Sequence, residues 1–94
     1  MFDWDDGNID KNLRHGVQDW EIEEACLDPR RRIVGRSWLR REWRYRLLGR
    51  ATTSGKYLRV IYTLRIGAEG RELIRPISAV EMTPSERRTY QTRK

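Results

Sequence analysis

Residues 75–90, RPISAVEMTPSERRTY, bring together side chains able to hold a phosphate. Arg75 and Ser78 lie on a run that reads as a strand, and Arg87, Arg88 and Tyr90 follow a helix start written into the sequence. Thr83 suits the N-cap, Pro84 the first helical position, and Glu86 completes a capping box three residues after Thr83, satisfying amides otherwise left without partners. A cationic, hydroxyl-bearing helix is thereby pinned beside a cationic strand. Guanidinium forks match phosphate oxygens in a bidentate way, so this placement predicts an anion-binding surface. His15 adds an imidazole just before Gly16, where a helix C-terminus favours the protonated ring. It is a candidate general acid or base, or simply a cap on the last carbonyls.

These groups need a scaffold, and 94 residues suffice for one domain with a modest core, burying roughly 60–65% of the unfolded surface. The charge is unevenly spread. Residues 1–28 hold nine acidic side chains against Lys11 and Arg14, a net of −7, and residues 29–94 hold eighteen Lys and Arg against five Glu, a net of +13. The sum is the overall +6. The basic two thirds call for a polyanion or an acidic partner, unless the charges pair internally on a solvated surface. The most apolar run, 58–64, is interrupted by Arg59, which argues against a membrane span. The start MFDWDDG lacks a basic n-region and an apolar h-region, so a cytoplasmic location is expected. One Cys and one His cannot build a protein zinc site, and no cofactor is called for.

Phe2 and Trp4 alternate with acids, predicting a short strand over 2–5. Ile9 and Leu13, four apart before Gly16, predict a short helix over 8–15. A second helix is expected over 18–27, with Ile22, Ala25 and Cys26 inward and Glu21, Glu23 and Glu24 in water, ended by Asp28-Pro29. The period then becomes two. Residues 31–36 are a weak strand candidate, and 43–50 a stronger one with Trp43, Tyr45 and Leu47 on one face and Arg44, Arg46 and Arg50 on the other. After a turn at 52–55, residues 56–66 place Leu58, Val60, Tyr62 and Leu64 opposite Arg59, Thr63 and Arg65. A turn at 67–70 leads to a last strand over 72–80. Short turns imply antiparallel pairing, so the expectation is an α+β domain spanning 1–94: a short strand, two helices, an antiparallel sheet and a C-terminal helix. Its cationic face would be a lattice of arginines some 5–7 Å apart, comfortable only beside anions.

WDDGNI and RHGV near the start, YRLLGR at 45–50, GKYLRVIYTLR at 55–65 and RPISA…MTPSERRTY at 75–90 form an ordered set. That set resembles the BrnT family of toxins, a RelE-like group from type II toxin–antitoxin systems, over nearly the whole chain except 29–42. The resemblance implies a RelE-like fold and a metal-independent endoribonuclease that inhibits translation. It also implies a BrnA-like ribbon-helix-helix antitoxin in a hetero-oligomeric complex, which would reach operator DNA only through the antitoxin. Where the family pattern reads Ser-Ala-Arg, this chain reads Ser78-Ala79-Val80, followed by Glu81. The alternative is therefore a degenerate homologue that binds antitoxin or RNA without cutting.

RelE-like cleavage uses the RNA 2′-hydroxyl as nucleophile, so the protein must manage protons and phosphate charge rather than supply a triad. Arg50, Arg65 and Arg75 are candidates for the phosphate, although the first two can instead pair with the acidic N-terminal segment and Arg75 with Asp5. Arg87 and Tyr90, three apart on the helix, could bring a cation and a proton donor over the sheet, unless Tyr90 is the helix's anchor. Arg44, Arg46, Arg59 and Arg88 are expected to touch RNA. Trp4 and Trp20 are expected in the core. Trp38 and Trp43, interleaved with arginines, could stack bases, with core packing for Trp43 and a partner-covered patch for Trp38 as the competing assignment.

Overall fold

In a computed structural model, residues 1–92 are described. They form a four-stranded antiparallel sheet in the order β1-β2-β3-β4, with β1 Arg32–Leu39, β2 Glu42–Ala51, β3 Lys56–Ile66 and β4 Glu72–Glu81. Helix α1, Asp19–Leu27, packs on one face against β2 and β3, and α2, Pro84–Gln91, lies on the other. The core between sheet and α1 gathers Val17, Ile22, Ala25, Cys26, Leu47, Leu58, Val60 and Ala79. Strands β2, β3 and β4 supply the sheet's share of that core, with Leu58, Val60 and Tyr62 alternating along β3 as the period-two pattern requires, and β1 supplies no buried residue.

The start of the chain differs from expectation. The strand expected at 2–5 contracts to one parallel bridge between Phe2 and Ile74. Beyond it the chain turns sharply, because the Asp5 carbonyl accepts from the Asn8 and Ile9 amides. The expected helix over 8–15 survives only as a 3-10 turn at Leu13–His15, since Asp10 takes a positive φ of 57° and breaks the helical path. What this segment does instead is complete β4. The partner register of β4 slips between Ser78 and Pro76, and Pro76 has no N–H for the ladder. Buried Asn8 donates to the Pro76 carbonyl at 3.0 Å, and Asn12 accepts from the Ala79 amide at 2.9 Å. Two asparagine side chains thus satisfy an edge that no fifth strand covers among the described residues.

Three burial assignments need correction. Glu21, expected in water, is 1% exposed. Its carboxylate accepts from the Gln18 amide at 2.8 Å and from Lys56 Nζ at 3.1 Å, so capping and an ion pair explain its place inside. Trp20, expected in the core, is 47% exposed because Ile22, Ala25 and Cys26 already fill the inward stripe of α1. Trp43 is 40% exposed, since α1 does not reach the outer end of β2. The weak candidate at 31–36 is a full strand, Arg32–Leu39, paired with β2 on both sides of a register shift between Ile33 and Gly35.

Gly49 lets α1 approach the sheet. A Cβ there would collide with the Ala25 carbonyl oxygen, an overlap that only a backbone shift could relieve. Gly49→Ala is expected to lower the unfolding free energy by about 2–3 kcal/mol, measured by urea titration. A loss below about 0.5 kcal/mol would mean that α1 can slide without cost.

Candidate functional site

The cationic face is ordered differently from a lattice. Register places Arg44 opposite Thr63, Arg46 opposite Ile61, Arg59 between Leu48 and Val80, and Arg65 opposite Leu73. No two of these arginines face each other directly, which removes the expected repulsion. Several are also neutralised. Glu42 accepts from Arg65 at 2.8 Å and from Arg44 at 3.1 Å. Burial pushes the Glu42 carboxyl up, but the two guanidinium groups outweigh it and hold its pKa below the ordinary value. Arg75 makes a bidentate pair with Asp5, 3.0 Å at both oxygens, and reaches Asp3 at 3.3 Å. Hydrogen bonding from Arg75 holds the Asp5 pKa below its usual value. Arg59 pairs with Glu86 of α2 at 3.3 Å. Arg65 and Arg75 line one shared cleft with Arg44, so the structure brings them together, with carboxylates already in place.

A different set of cations is left open where α2 crosses the sheet. The Arg87 guanidinium carbon stands 3.9 Å from the Tyr57 ring centroid, and that of Arg50 stands 5.0 Å from it. Among the described residues neither arginine has a carboxylate within 4.0 Å. Arg50 is aimed by its Nε donating to the Gly55 carbonyl at 3.4 Å, and Arg87 by the first turn of α2. The Arg87 guanidinium beside Tyr57 holds its hydroxyl below the ordinary tyrosine value, helped by the charge of Arg50. The adjoining cleft, about 240 Å³, is lined by Tyr57, Arg87, Lys56, Ser54, Met82 and Glu81, with Gly55 at the turn. A phenol eased toward ionisation between two uncompensated guanidinium groups can bind a phosphate and exchange a proton beside it.

The capping box holds this geometry. Thr83 Oγ1 accepts from the Glu86 amide at 3.1 Å, and the Thr83 amide donates to Glu86 Oε1 at 3.0 Å. At the other end of α2, Arg32 Nη1 donates to the carbonyls of Thr89 and Thr92 at 2.6 and 2.8 Å, where a cation meets the negative helix end. Tyr90 is buried and its hydroxyl donates to Asp28 Oδ2 at 2.5 Å, so it seats the helix and its proton is committed to that bond. Burial pushes the Asp28 carboxyl up. The Tyr90 hydroxyl and the amides of Arg30 and Arg50 outweigh this and hold its pKa below the usual carboxylate value.

His15 is exposed at the end of the 3-10 turn, and the neighbouring Gly16 carbonyl accepts from Lys56 Nζ at 2.6 Å. Arg46 and Arg88 are exposed on their elements. The Cys26 thiol is buried and pushed up to about 12, which makes it a poor nucleophile. Among the described residues no three His, Cys, Asp or Glu side chains group to hold a metal ion, and no helix is long and apolar enough to cross a membrane. Tyr57 is absent from the sequence-based candidates. Its signal is parity, since it shares its face of β3 with Arg59 and Thr63 and stands opposite Arg50 in the register.

The model of one protein family, described as the ribonuclease toxin BrnT of type II toxin–antitoxin systems, matches residues 4–86. No curated protein gives a significant match. Tyr57 lies inside the matched segment, and Arg87 and Tyr90 lie just beyond it.

Proposed function

This chain belongs to the BrnT family of ribonuclease toxins of type II toxin–antitoxin systems, and from that premise we propose that it cuts RNA where Arg50, Tyr57 and Arg87 meet. The family implies an antitoxin protein as partner. The carrying observation is the pair of unneutralised guanidinium groups flanking the Tyr57 ring. In this reading the two arginines hold the scissile phosphate and take up its growing charge. The 2′-hydroxyl of the preceding ribose attacks phosphorus and gives up its proton toward the Tyr57 oxygen. The bond to the 5′-oxygen breaks as Tyr57 hands the same proton on to that oxygen, leaving a 2′,3′-cyclic phosphate, a 5′-hydroxyl end and the phenolate restored. Arg44, Arg65 and Arg75, with their carboxylates, steady the face along which RNA runs.

The proposal extends to metal-independent cleavage, inhibition of translation and a BrnA-like ribbon-helix-helix antitoxin whose acidic surface covers the cationic face. Inducing the gene alone is expected to arrest growth, and co-expressing the neighbouring gene to relieve it. Purified protein is expected to degrade RNA in EDTA. Growth without arrest together with intact RNA would sink the reading.

One observation favours a second reading, a homologue that binds without cutting. Glu81 lines the same cleft as Tyr57 and Arg87, and Val80 faces Arg59 across the register where the family pattern carries Arg. If this reading holds, wild-type protein leaves RNA intact, and Val80→Arg with Glu81→Gln restores cutting by returning a cation and removing an anion.

A further inference from the structure

The tip of the β1–β2 hairpin is built at a conformational cost that its packing does not explain. Leu39 pairs with Glu42, leaving Arg40 and Arg41 as a two-residue loop, with φ of 53° and 64°. A type I′ turn demands this left-handed backbone at both positions and favours Asn-Gly, whereas here two arginines occupy it. Behind the tip, Trp38 and Trp43 face each other across the ladder with centroids 5.3 Å apart, edge to face, 59% and 40% exposed. The Arg36 guanidinium stands 4.2 Å over the Trp43 ring. Between residues 36 and 46 lie five arginines and one acid, and that acid, Glu42, is held by Arg44 and Arg65. Among the described residues Arg36, Arg40 and Arg41 have no carboxylate partner.

We infer that this hairpin tip is a second RNA-binding element, a finger that grips single-stranded RNA outside the cleavage cleft. Exposed indole faces stack on any base, and uncompensated guanidinium groups beside them take the phosphates between bases. Two exposed indoles set among guanidinium groups match the alternation of bases and phosphates along a single strand. An acidic protein surface, the other occupant these groups could take, is separated from it by the binding test. Trp43 is seven residues from Arg50 along β2, about 24 Å at strand rise, so the finger and the cleft hold different parts of one strand. The inference rests on RNA as the substrate of the proposed function, but not on which residues cut it.

The test uses the full chain and a fluorescent 2′-O-methyl oligoribonucleotide, whose blocked 2′-oxygen stops cleavage whatever the catalytic groups are. Trp38→Ala is expected to weaken binding on the order of ten-fold, with the salt dependence unchanged. Arg40→Asn with Arg41→Gly is expected to raise the melting temperature, because it supplies the residues the turn prefers. The same change is expected to weaken binding and to lower the slope of log K against log salt by about 0.7 for each phosphate that the finger no longer neutralises. A more stable hairpin with weaker RNA binding cannot be ascribed to misfolding. Binding equal to wild type in both variants overturns the inference, as does a wild-type chain that fails to bind the oligonucleotide. Variants that bind RNA normally but escape neutralisation by the antitoxin would assign the finger to a protein partner instead. Wild-type cleavage by Tyr57→Phe with finger-dependent binding intact would be a failure of the cleft and not of the finger.

Discussion

Tyr57→Phe is expected to reduce RNA cleavage by about 10²–10⁴-fold, the usual span for a group that moves a proton in the transition state. Folding should survive. The ring keeps its edge-to-face packing with Tyr90, 5.7 Å between centroids, and loses only an oxygen at the edge of a cleft. Arg87→Gln tests the electrostatic half of the argument. The Arg87 guanidinium is the chief cause of the depressed Tyr57 pKa, so removing its charge lets that pKa climb back toward the ordinary tyrosine value. If cleavage needs the ionised phenol, the rising limb of the pH–rate profile moves to higher pH in Arg87→Gln and vanishes in Tyr57→Phe. Arg87→Lys keeps the charge but not the planar fork, so it should be partly active. Cleavage by Tyr57→Phe at the wild-type rate would remove Tyr57 from the chemistry.

The largest effect on stability is expected at Asp28. Its carboxylate accepts from the Tyr90 hydroxyl, the Arg50 amide at 2.8 Å and the Arg30 amide at 2.9 Å, and thereby joins the end of α1 to β2 and α2. Asp28→Ala leaves those donors without their acceptor in a buried place, at a cost of about 3 kcal/mol. For a domain of this size that lowers the melting temperature by roughly 10–20 °C. Tyr90→Phe is expected to cost about 1–2 kcal/mol, and the double variant less than the sum, because both remove the same bond. The pH dependence has a definite sign. A carboxyl held below its unfolded value stabilises the fold above the unfolded pKa, and the contribution is lost as pH falls through the folded value. Asp28→Ala should therefore flatten the acid limb of stability below about pH 4. A cost under about 1 kcal/mol, or an unchanged acid limb, would show that α2 is seated by packing alone.

Both sites show where sequence reading succeeds and where it stops. The start of α2 is legible because a capping box is local, with Thr83, Pro84 and Glu86 carrying the whole signal. The span of β3 is legible because alternation over eleven residues with turns at both ends leaves little choice. The segment at 8–15 misleads because Ile9 and Leu13 have helical spacing, while the bonds that decide the matter run from Asn8 and Asn12 to a strand more than sixty positions away. Glu21 misleads for a related reason, since Lys56 reaches it from the far side of a turn. The arginines are visible as a set, but which of them are neutralised is not. Asp3, Asp5, Glu42 and Glu86 come from separate parts of the chain to meet them. Tyr57 is hidden by its apolar neighbours, and its role emerges only when α2 lays Arg87 against it.

The dependence of the cleft on α2 also has a consequence for the chain while it is being made. Arg87 follows Tyr57 by thirty positions, and the Asp28 that seats α2 waits for Tyr90, sixty-two positions later. During synthesis the sheet can begin to pair as β1, β2 and β3 emerge, but the second guanidinium arrives only with the last helix. Until α2 docks, Tyr57 has only Arg50 beside it, so the pair of guanidinium groups around its ring is among the last features of the fold to be assembled.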